Sequence, residues 1–416
     1  MGEPISSDVS GARGTRKRRR RAGRIVAIVA AVVAALIAIL VVIFVVVVGK
    51  AQPPKPGSFY SLPSPLPDKP PGTIIRSESL SGLPDWAMGW KILYMSTSYT
   101  GKPTAISGMV IVPRHASSIE RHVVTFANGT VGVASNCALS IHGARYLTAL
   151  HGLQTYLAAG DDAVMTDYQG LGTPGPHPYL VGKSEAEAVL DSVRAAHNLR
   201  DAHAGTTFAV TGPSQGGHAA LFTGQLAHTY APDLTLVGVA ASAPPTDLKE
   251  LLRLKGEGTF GKVLSAFTLD AWSQVYGYNL DTVFTPAARP IVHHMVRLCL
   301  HNATQMLAFI PLTQVLKIGY LKSPPWQTEP WKTLLAENTP GKTKIPAPVL
   351  ISQGGADQLV HPPVTAAFAK HLCAMGEQVE YRVYPGAVHD AGAESGSNVA
   401  KWIANRFAGK PPPSTC

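Results

Sequence analysis

The chain has 416 residues, more than one hydrophobic core usually needs, which predicts one large domain with an insertion or one domain with appendages. Its formal net charge of +10 is concentrated at one end, because residues 1–24 contain eight lysines and arginines against Glu3 and Asp8. These basic residues form a short tail without interleaved aromatic side chains, which argues against a nucleic-acid-binding groove.

Residues 25–48 are the first predicted element, a membrane-spanning helix. They contain neither a charged residue nor a proline, and 24 residues are enough to cross the hydrocarbon core of a bilayer. Since the basic residues precede this run, we expect residues 1–24 in the cytoplasm and the rest of the chain outside, in a single-pass cell membrane protein. A cleaved signal peptide is the alternative, although its apolar region is usually only about 7–15 residues long.

Residues 49–72 are rich in proline and predict a semi-rigid, extended spacer. Beyond it, residues 73–416 alternate β-branched or apolar runs, such as "SGMVIVP", "HVVTFANG" and "TTFAVTG", with helical stretches such as "SEAEAVLDSVRAAHNLRDAH". Strands that alternate with helices predict a mostly parallel sheet covered on both faces, in a doubly wound α/β domain.

Residues 246–343 interrupt this alternation. They contain no convincing strand, only apolar and amphipathic helical pieces such as "LDAWSQVYGYNL" and "PLTQVLKIGYL". About a hundred residues inserted between two core strands predict a helical cap over the carboxyl ends of the strands, where ligands bind in open α/β sheets. A plain additional helical layer is the alternative.

The segment "TTFAVTGPSQGGHAA" places Ser214 between a strand and a helix, in the pattern G-x-S-x-G. A sharp strand-to-helix turn forces the serine into a strained backbone conformation, and the glycines at 212 and 216 allow strand and helix to approach closely. The segment therefore predicts that Ser214 is a nucleophile.

A serine nucleophile needs an imidazole base and a carboxylate that orients it, and in this fold they follow in the order Ser, acid, His. Asp357 comes just after the strand "PVLISQG", and His389 lies in the loop after the next strand. We therefore predict Asp357 and His389 as the partners of Ser214. His361 is a weaker alternative for the base, and His218 is expected to pack beneath the nucleophile.

An acyl-transfer site also needs two N–H donors for the developing oxyanion. One should be the backbone N–H of Gln215, which follows the nucleophile, and the other should come from the loop after an earlier strand. In "VVTFANGTVG", Gly129 lets the chain turn close to the site, and Thr130 is the predicted donor, with Gly129 itself as the alternative.

The four cysteines all follow the predicted membrane span and so lie where disulfides persist. Four cysteines allow three pairings, and spacing alone does not choose among them. No two are close enough in sequence for a CxxC redox or zinc motif, so we predict no metal site.

The elbow, the "GGADQLV" turn and the "YPGAVHDAG" loop, with "FYSLPSPLP", "ISGMVIVP" and "DYQGLGTPGPHPYLVG", carry a family resemblance. Over nearly all of residues 59–416 the chain resembles the secretory lipase family of α/β-hydrolases, of the lipase A type. The resemblance implies an α/β-hydrolase fold, a serine esterase or lipase that needs no cofactor, and a cap holding an acyl tunnel. It also implies disulfides between Cys137 and Cys299 and between Cys373 and Cys416.

We therefore predict a serine esterase or lipase that hydrolyses carboxylic esters, such as acylglycerols, through an acyl-enzyme on Ser214. Two alternatives stay open. The same triad could pass the acyl group to an alcohol, as an acyltransferase of envelope lipids, or the domain could be a catalytically silent module that binds lipid. A small ester or lipid and the membrane are the expected partners.

Overall fold

The computed structural model has two compact units, Met1–Gln52 and Pro53–Cys416. The residues it describes are 24–39, 42, 46, 55–114, 120–255, 258–300, 303–316, 319–389 and 392–416. In the first unit, residues 24–39 are helical. Residues 1–23 of the predicted tail, and 40, 41, 43–45, 47 and 48 of the predicted span, lie outside the described residues. Among the helices of the described part, none combines the length and apolar character needed to cross a membrane.

The described residues of the second unit contain a sheet of nine strands in the order β1-β2-β3-β5-β4-β6-β7-β8-β9. Pairing is antiparallel from β1 to β3 and between β3 and β5, and parallel across all remaining neighbours. The strands are β1 (Ile74–Ser79), β2 (Ala87–Thr97), β3 (Pro103–Pro113), β4 (Arg121–Phe126), β5 (Asp162–Thr166), β6 (Ala204–Pro213), β7 (Thr235–Ser242), β8 (Val349–Gly354) and β9 (Val379–Tyr384). The predicted, mostly parallel sheet is confirmed, with β1 and β2 as additional strands.

Helices cover both faces of this sheet. Their bounds are α1 (Leu153–Ala158), α2 (Gly182–Asn198), α3 (Gln215–Tyr230), α4 (Leu248–Lys255), α5 (Thr259–Tyr276), α6 (Arg289–Met295), α7 (Ala303–Val315), α8 (Trp331–Glu337), α9 (Pro362–Ala374) and α10 (Gly392–Phe407). Side chains of α2, α3 and α9 belong to one apolar core, and those of α1 and α10 to another. Successive residues of β8 alternate between the cores, since Val349 and Ile351 join the first and Leu350 the second.

The helices α4 to α8 lie between β7 and β8 in the chain. Among the described residues of this stretch, the only β-type pairing is an isolated bridge between Phe284 and Leu321. These five helices span residues 248–337. We call this stretch the helical insertion.

Part of the predicted proline-rich spacer belongs to the folded unit. Phe59 and Tyr60 are buried and form a small apolar cluster with Leu93 of β2 and Ala105 of β3. The folded unit therefore begins before residue 73. The reason is that burial of two adjacent aromatic side chains is more favourable than their exposure to water in a spacer.

Two disulfides join distant parts of this unit. Cys137 pairs with Cys299 and Cys373 with Cys416, with Cα–Cα distances of 5.3 and 5.4 Å. These are the pairings that the family resemblance implied. The first bridge connects the segment that follows β4 to the helical insertion, so it closes a loop of 162 residues.

Candidate active site

Ser214 occupies a sharp turn between β6 and α3. Its backbone has φ 54° and ψ −121°, a combination that costs a residue with a Cβ about 1–3 kcal/mol. The turn is held at both ends, since the Ser214 N–H donates to the carbonyl of Ser242 at 2.8 Å and the His218 N–H donates to the carbonyl of Ser214 at 3.1 Å. The strained serine at the end of a central strand is the geometry that the sequence pattern predicted.

The glycines around Ser214 are required by the close approach of the neighbouring chain. A Cβ atom on Gly216 would lie 1.9 Å from the carbonyl oxygen of Ala127, and one on Gly212 would lie 2.4 Å from the same atom. Since Ala127 directly follows β4, any side chain at these positions would push the elbow away from the loop that begins there. The elbow and this loop are therefore in direct contact.

Asp357 and His389 come together beside the carboxyl end of β8. Nδ1 of His389 lies 2.8 Å from Oδ2 of Asp357, and because an ionised carboxylate only accepts hydrogen bonds, Nδ1 is the donor. The neutral imidazole then has Nε2 available as an acceptor for a hydroxyl proton. The ring is 26% exposed, whereas the carboxylate is fully buried.

Three further donors hold the Asp357 carboxylate. Oδ1 accepts the backbone N–H groups of Leu359 at 2.8 Å and Val360 at 3.0 Å, and Oδ2 accepts the side-chain amide of Gln353 at 3.0 Å. Burial acts to raise the pKa of Asp357, but the hydrogen bond and charge of His389, together with the backbone donors, lower this pKa below its ordinary value. Asp357 is therefore an ionised carboxylate that fixes the orientation of His389.

The two residues predicted to bind an oxyanion lie on either side of the elbow. Gln215 is the first residue of α3, so its N–H has no partner within the helix. Thr130 lies in the loop after β4, and its hydroxyl is 2.8 Å from that of Tyr179. This loop packs on the elbow, because a Cβ atom on Gly129 would be 3.3 Å from the carbonyl oxygen of Pro213. Asn128 precedes Gly129 in the same loop, and its side chain donates to the Thr166 carbonyl at 2.5 Å.

A cavity of about 80 Å³ opens beside His389 at the carboxyl ends of the central strands. The loop residues Asn128 and Gly129, the elbow residue Pro213 and the α10 residue Ser395 contribute to its wall. Ser352 and Ser395 line it, and each has a buried hydroxyl without a protein hydrogen-bond partner. The cavity is thus small and partly polar, and it joins the elbow loop to the imidazole.

Beneath the elbow lies a buried polar cluster that the sequence patterns do not reveal. His218 is fully buried, as predicted, but its Nδ1 lies 2.9 Å from Oε2 of Glu185 on α2. The other carboxylate oxygen of Glu185 accepts the side-chain amide of Gln215 at 2.7 Å. The available signal was a glutamate in the first turn of a helix that buries most of its residues, since α2 buries Glu185 together with its neighbours Ser184 and Ala186.

Within the described residues, no group of three or more His, Cys, Asp or Glu side chains could hold a metal ion. The alternative base, His361, directly precedes α9, and the hydrogen bond to Asp357 is made by His389.

The model of the secretory lipase family matches residues 146–415 of this chain. The chain belongs to the secretory lipase family. This secretory lipase is 22% identical to lipase A of Moesziomyces aphidis over 398 residues, covering 86% of this chain and 81% of that one. It is 27% identical over 384 residues to a Mycobacterium tuberculosis protein named a probable inactive lipase, covering 85% and 82%.

Solved structures agree on the fold of this secretory lipase. The crystal structure of Candida antarctica lipase A superposes with a TM-score of 0.69 at 21% identity, covering 88% of this chain and 89% of that chain. A point mutant of the rice cell wall degrading esterase LipA from Xanthomonas oryzae superposes with a TM-score of 0.68 at 19% identity, covering 82% of this chain and 100% of that chain. The α/β-hydrolase fold predicted from the sequence is thereby confirmed, and family membership makes the chain a lipase-type ester hydrolase.

Proposed function

We propose that this secretory lipase hydrolyses carboxylic esters through an acyl-enzyme on Ser214. The observation that carries the proposal is the 2.8 Å hydrogen bond between Asp357 and His389, at the same sheet edge as the strained Ser214 elbow. Each of the three side chains has the protonation state or the position that its proposed role requires. Asp357 is ionised, His389 keeps Nε2 as an acceptor, and Ser214 is presented at the end of β6.

The proposed reaction has two halves. Nε2 of His389 accepts the hydroxyl proton as Oγ of Ser214 attacks the ester carbonyl, and the carbonyl oxygen becomes an oxyanion held by the N–H groups of Thr130 and Gln215. The imidazolium returns its proton to the leaving alcohol oxygen, which departs. A water molecule then attacks the acyl-enzyme with His389 again as the base, and the carboxylic acid is released.

The cavity beside His389 limits what the site can enclose. About 80 Å³ is well below the roughly 150 Å³ of an engineered apolar cavity that holds benzene, so it accommodates only a short part of an ester. A long acyl chain would then lie along the helical insertion, which we propose as a cap at residues 246–343. Acylglycerols fit this arrangement, with the ester group in the cavity and the acyl chain along the insertion. A relative from Malassezia globosa, 26% identical over 388 residues, is named a secreted triacylglycerol lipase.

We also propose that residues 25–48 anchor the enzyme in the cell membrane. The support is the uncharged run of 24 residues after the basic segment 1–24. Residues 1–24 would lie in the cytoplasm and the catalytic domain, within the compact unit Pro53–Cys416, outside. Protease treatment of intact cells should remove the catalytic domain while leaving a fragment in the membrane fraction; a catalytic domain that is resistant in intact cells would contradict this topology.

The test of the catalytic proposal compares the compact unit 53–416 with its Ser214→Ala variant on p-nitrophenyl esters of increasing acyl length. We expect hydrolysis by the first protein and none above background by the second, with identical circular dichroism spectra. A fluorophosphonate probe should label the unsubstituted protein only. Equal turnover in both would overturn the assignment of Ser214, and absence of both labelling and turnover would favour a silent lipid-binding module, as would suit the relative named a probable inactive lipase.

Hydrolysis and acyl transfer share the acyl-enzyme and differ in what attacks it. Product analysis with a long-chain ester, with and without added glycerol, separates them. Hydrolysis predicts free fatty acid as the main product in both cases, whereas an acyltransferase would form a new glycerol ester whenever glycerol is present.

A further inference from the structure

Glu185 is a fully buried carboxylate beneath the elbow, and every contact of its two oxygens leads toward the candidate active site. Oε1 accepts the backbone N–H of Leu180 at 2.9 Å and the side-chain amide of Gln215 at 2.7 Å. Oε2 lies 2.9 Å from Nδ1 of His218. Glu185 and His218 both have fully buried side chains. Burial of a carboxylate lowers the folding stability by several kcal/mol unless such hydrogen bonds compensate it. Packing alone therefore does not explain a glutamate at this position.

One branch of this network reaches the first proposed oxyanion donor directly. Gln215 follows Ser214, and its side chain is buried with the amide on Glu185. Because the side chain is fixed, rotation of the peptide that carries the Gln215 N–H is restricted. Glu185 thus sets the direction of that N–H through the side chain of the same residue, Gln215.

The second branch reaches the other proposed donor through a strained turn. Leu180 has φ 54°, a left-handed conformation that is unfavourable for leucine, and the Glu185 carboxylate holds its N–H. The preceding residue, Tyr179, contacts the Thr130 hydroxyl with its own at 2.8 Å. The Tyr179 carbonyl also accepts the indole N–H of Trp272 in the helical insertion at 2.8 Å. The Tyr179–Leu180 turn is therefore clamped between Glu185 and the insertion, and it supports Thr130.

His218 connects Glu185 to the end of the helical insertion. Its Nε2 lies 2.8 Å from the carbonyl oxygen of Asn338, which can only accept, so Nε2 carries a hydrogen. Nδ1 faces Oε2 of Glu185 at 2.9 Å, so the two side chains form a buried hydrogen-bonded pair. Asn338 also receives the N–H of Gly182, the first residue of α2, at 3.1 Å. The cluster therefore joins α2, α3 and the end of the helical insertion.

We propose that Glu185 is a positioning residue that aligns both N–H donors of the oxyanion hole, Gln215 directly and Thr130 through Leu180 and Tyr179. The inference rests on the proposed function, since it assumes that these two N–H groups stabilise the transition state. It predicts that breaking the network weakens transition-state binding and leaves ground-state binding of the ester intact.

The test compares three substitutions with one control. Glu185→Leu removes all three hydrogen bonds of the carboxylate. Glu185→Gln preserves them, because its carbonyl oxygen accepts from Leu180 and Gln215 while its amide donates to Nδ1 of a neutral His218. Tyr179→Phe cuts only the branch to Thr130. The control is Glu187→Leu, which removes another buried carboxylate of α2 whose partner is Lys183 on the surface.

The enzyme concentration in each assay is set by active-site titration with a fluorophosphonate, so that misfolded protein does not count. We expect kcat per titrated site to fall about 10–100-fold in Glu185→Leu and less in Tyr179→Phe, with KM nearly unchanged. Glu185→Gln and Glu187→Leu should stay close to the unsubstituted enzyme. The inhibition constant of an arylboronic acid, whose tetrahedral adduct on serine resembles the transition state, should rise in proportion to the loss of kcat/KM.

Unchanged kcat per site in a folded Glu185→Leu protein would overturn the inference while leaving the proposed function standing. If Glu185→Leu does not fold, Tyr179→Phe decides, and an unchanged kcat per site there would overturn it equally. A loss shared by Glu187→Leu would also overturn it, because the effect would then follow from removal of any buried carboxylate of α2. An unsubstituted enzyme without turnover or labelling would instead contradict the proposed function itself.

Discussion

Oδ2 of Asp357 lies 2.8 Å from Nδ1 of His389, and the same carboxylate is held from its other side by two backbone N–H groups. The imidazole is therefore oriented by a group that is itself fixed by the main chain. We expect Asp357→Asn to lower kcat about 10⁴-fold, because the amide stabilises the wrong tautomer of His389. Ester hydrolysis per titrated site measures this. The substitution Asp68→Asn at an exposed position serves as the control, and an Asp357→Asn enzyme within tenfold of the unsubstituted one would contradict the assignment.

The choice of base can be tested with two histidines close in sequence. His389→Ala should lower kcat/KM by about 10⁴-fold or more, since it removes the only proposed proton acceptor for Ser214. His361→Ala should remain close to the unsubstituted enzyme, because His361 lies at the start of α9 and the bond to Asp357 belongs to His389. Both variants are compared on the same p-nitrophenyl ester. The reverse ranking would show that His361 is the base.

The contact between the elbow and the loop after β4 predicts a steric requirement at residue 216. Gly216→Ala places a methyl group 1.9 Å from the Ala127 carbonyl oxygen, and neither atom belongs to a flexible side chain. We expect a loss of several kcal/mol in the free energy of unfolding, or an elbow displaced enough to abolish turnover. Gly57→Ala is the matched control, because a Cβ atom there meets nothing within 4 Å. Urea denaturation and ester hydrolysis measure the two effects, and a stable, fully active Gly216→Ala enzyme would refute the packing argument.

Asp162 at the start of β5 predicts a pH dependence of stability. Burial raises the pKa of Asp162 to about 7, although the hydrogen bond and charge of Arg121 oppose this. The ordinary pKa of an aspartate is about 4, so between roughly pH 4 and pH 7 the folded state holds a proton that the unfolded state releases. Stability from this group is therefore full below pH 4 and is lost as the pH rises to about 7.

Asp162→Asn cannot ionise and still offers an acceptor to the Arg121 guanidinium. We expect it to reduce the fall in free energy of unfolding between pH 4 and pH 7 by about 1–3 kcal/mol. Urea denaturation across this range measures the difference, with Asp68→Asn at an exposed position as the control. An identical pH dependence in both variants would show that Asp162 is ionised throughout the range.

The two disulfides predict different consequences when they are removed. Cys137 and Cys299 lie next to the loop that carries Thr130, because the Leu300 N–H donates to the Val131 carbonyl at 2.8 Å. The double variant Cys137→Ser/Cys299→Ser should lose about 2–5 kcal/mol of stability and also part of its kcat.

Cys373→Ser/Cys416→Ser should lose stability alone, because this bridge ties α9 to the last residue of the chain and not to the elbow. Thermal denaturation and kcat per titrated site are measured for both double variants. Equal loss of kcat in the two would contradict a local role of the Cys137–Cys299 bridge.

The parts of the fold and site that sequence patterns predicted are those set by local geometry. The strained turn at Ser214 was predictable because an elbow needs glycines two residues before and after it, and the pairing of Asp357 with His389 because each lies in the loop that follows a strand. The strands β1 and β2 were not predicted; they pair antiparallel at the sheet edge, and polar residues interrupt their apolar runs. Most of the predicted basic tail and part of the membrane span lie outside the described residues.

The cluster around Glu185 was missed for a different reason. Its members at positions 185, 218 and 338 are brought together by the packing of α2, α3 and the end of the helical insertion, which no local pattern encodes. His218 was correctly expected to be buried because it follows the elbow by one helical turn. Its contact with the Glu185 carboxylate depends on how α2 and α3 pack on the same face of the sheet, which the sequence around His218 does not indicate.

The left-handed backbone of Ser214 makes this position one where stability and activity oppose each other. Glycine adopts φ 54° without the cost that a Cβ atom imposes, so Ser214→Gly should unfold at a higher temperature than the enzyme itself while lacking the nucleophile. Threonine, although it also carries a hydroxyl, adds a branched Cβ at the same strained site. Selection for thermal stability alone would therefore favour glycine at position 214 and yield an inactive protein. Only a screen that requires turnover would retain the serine.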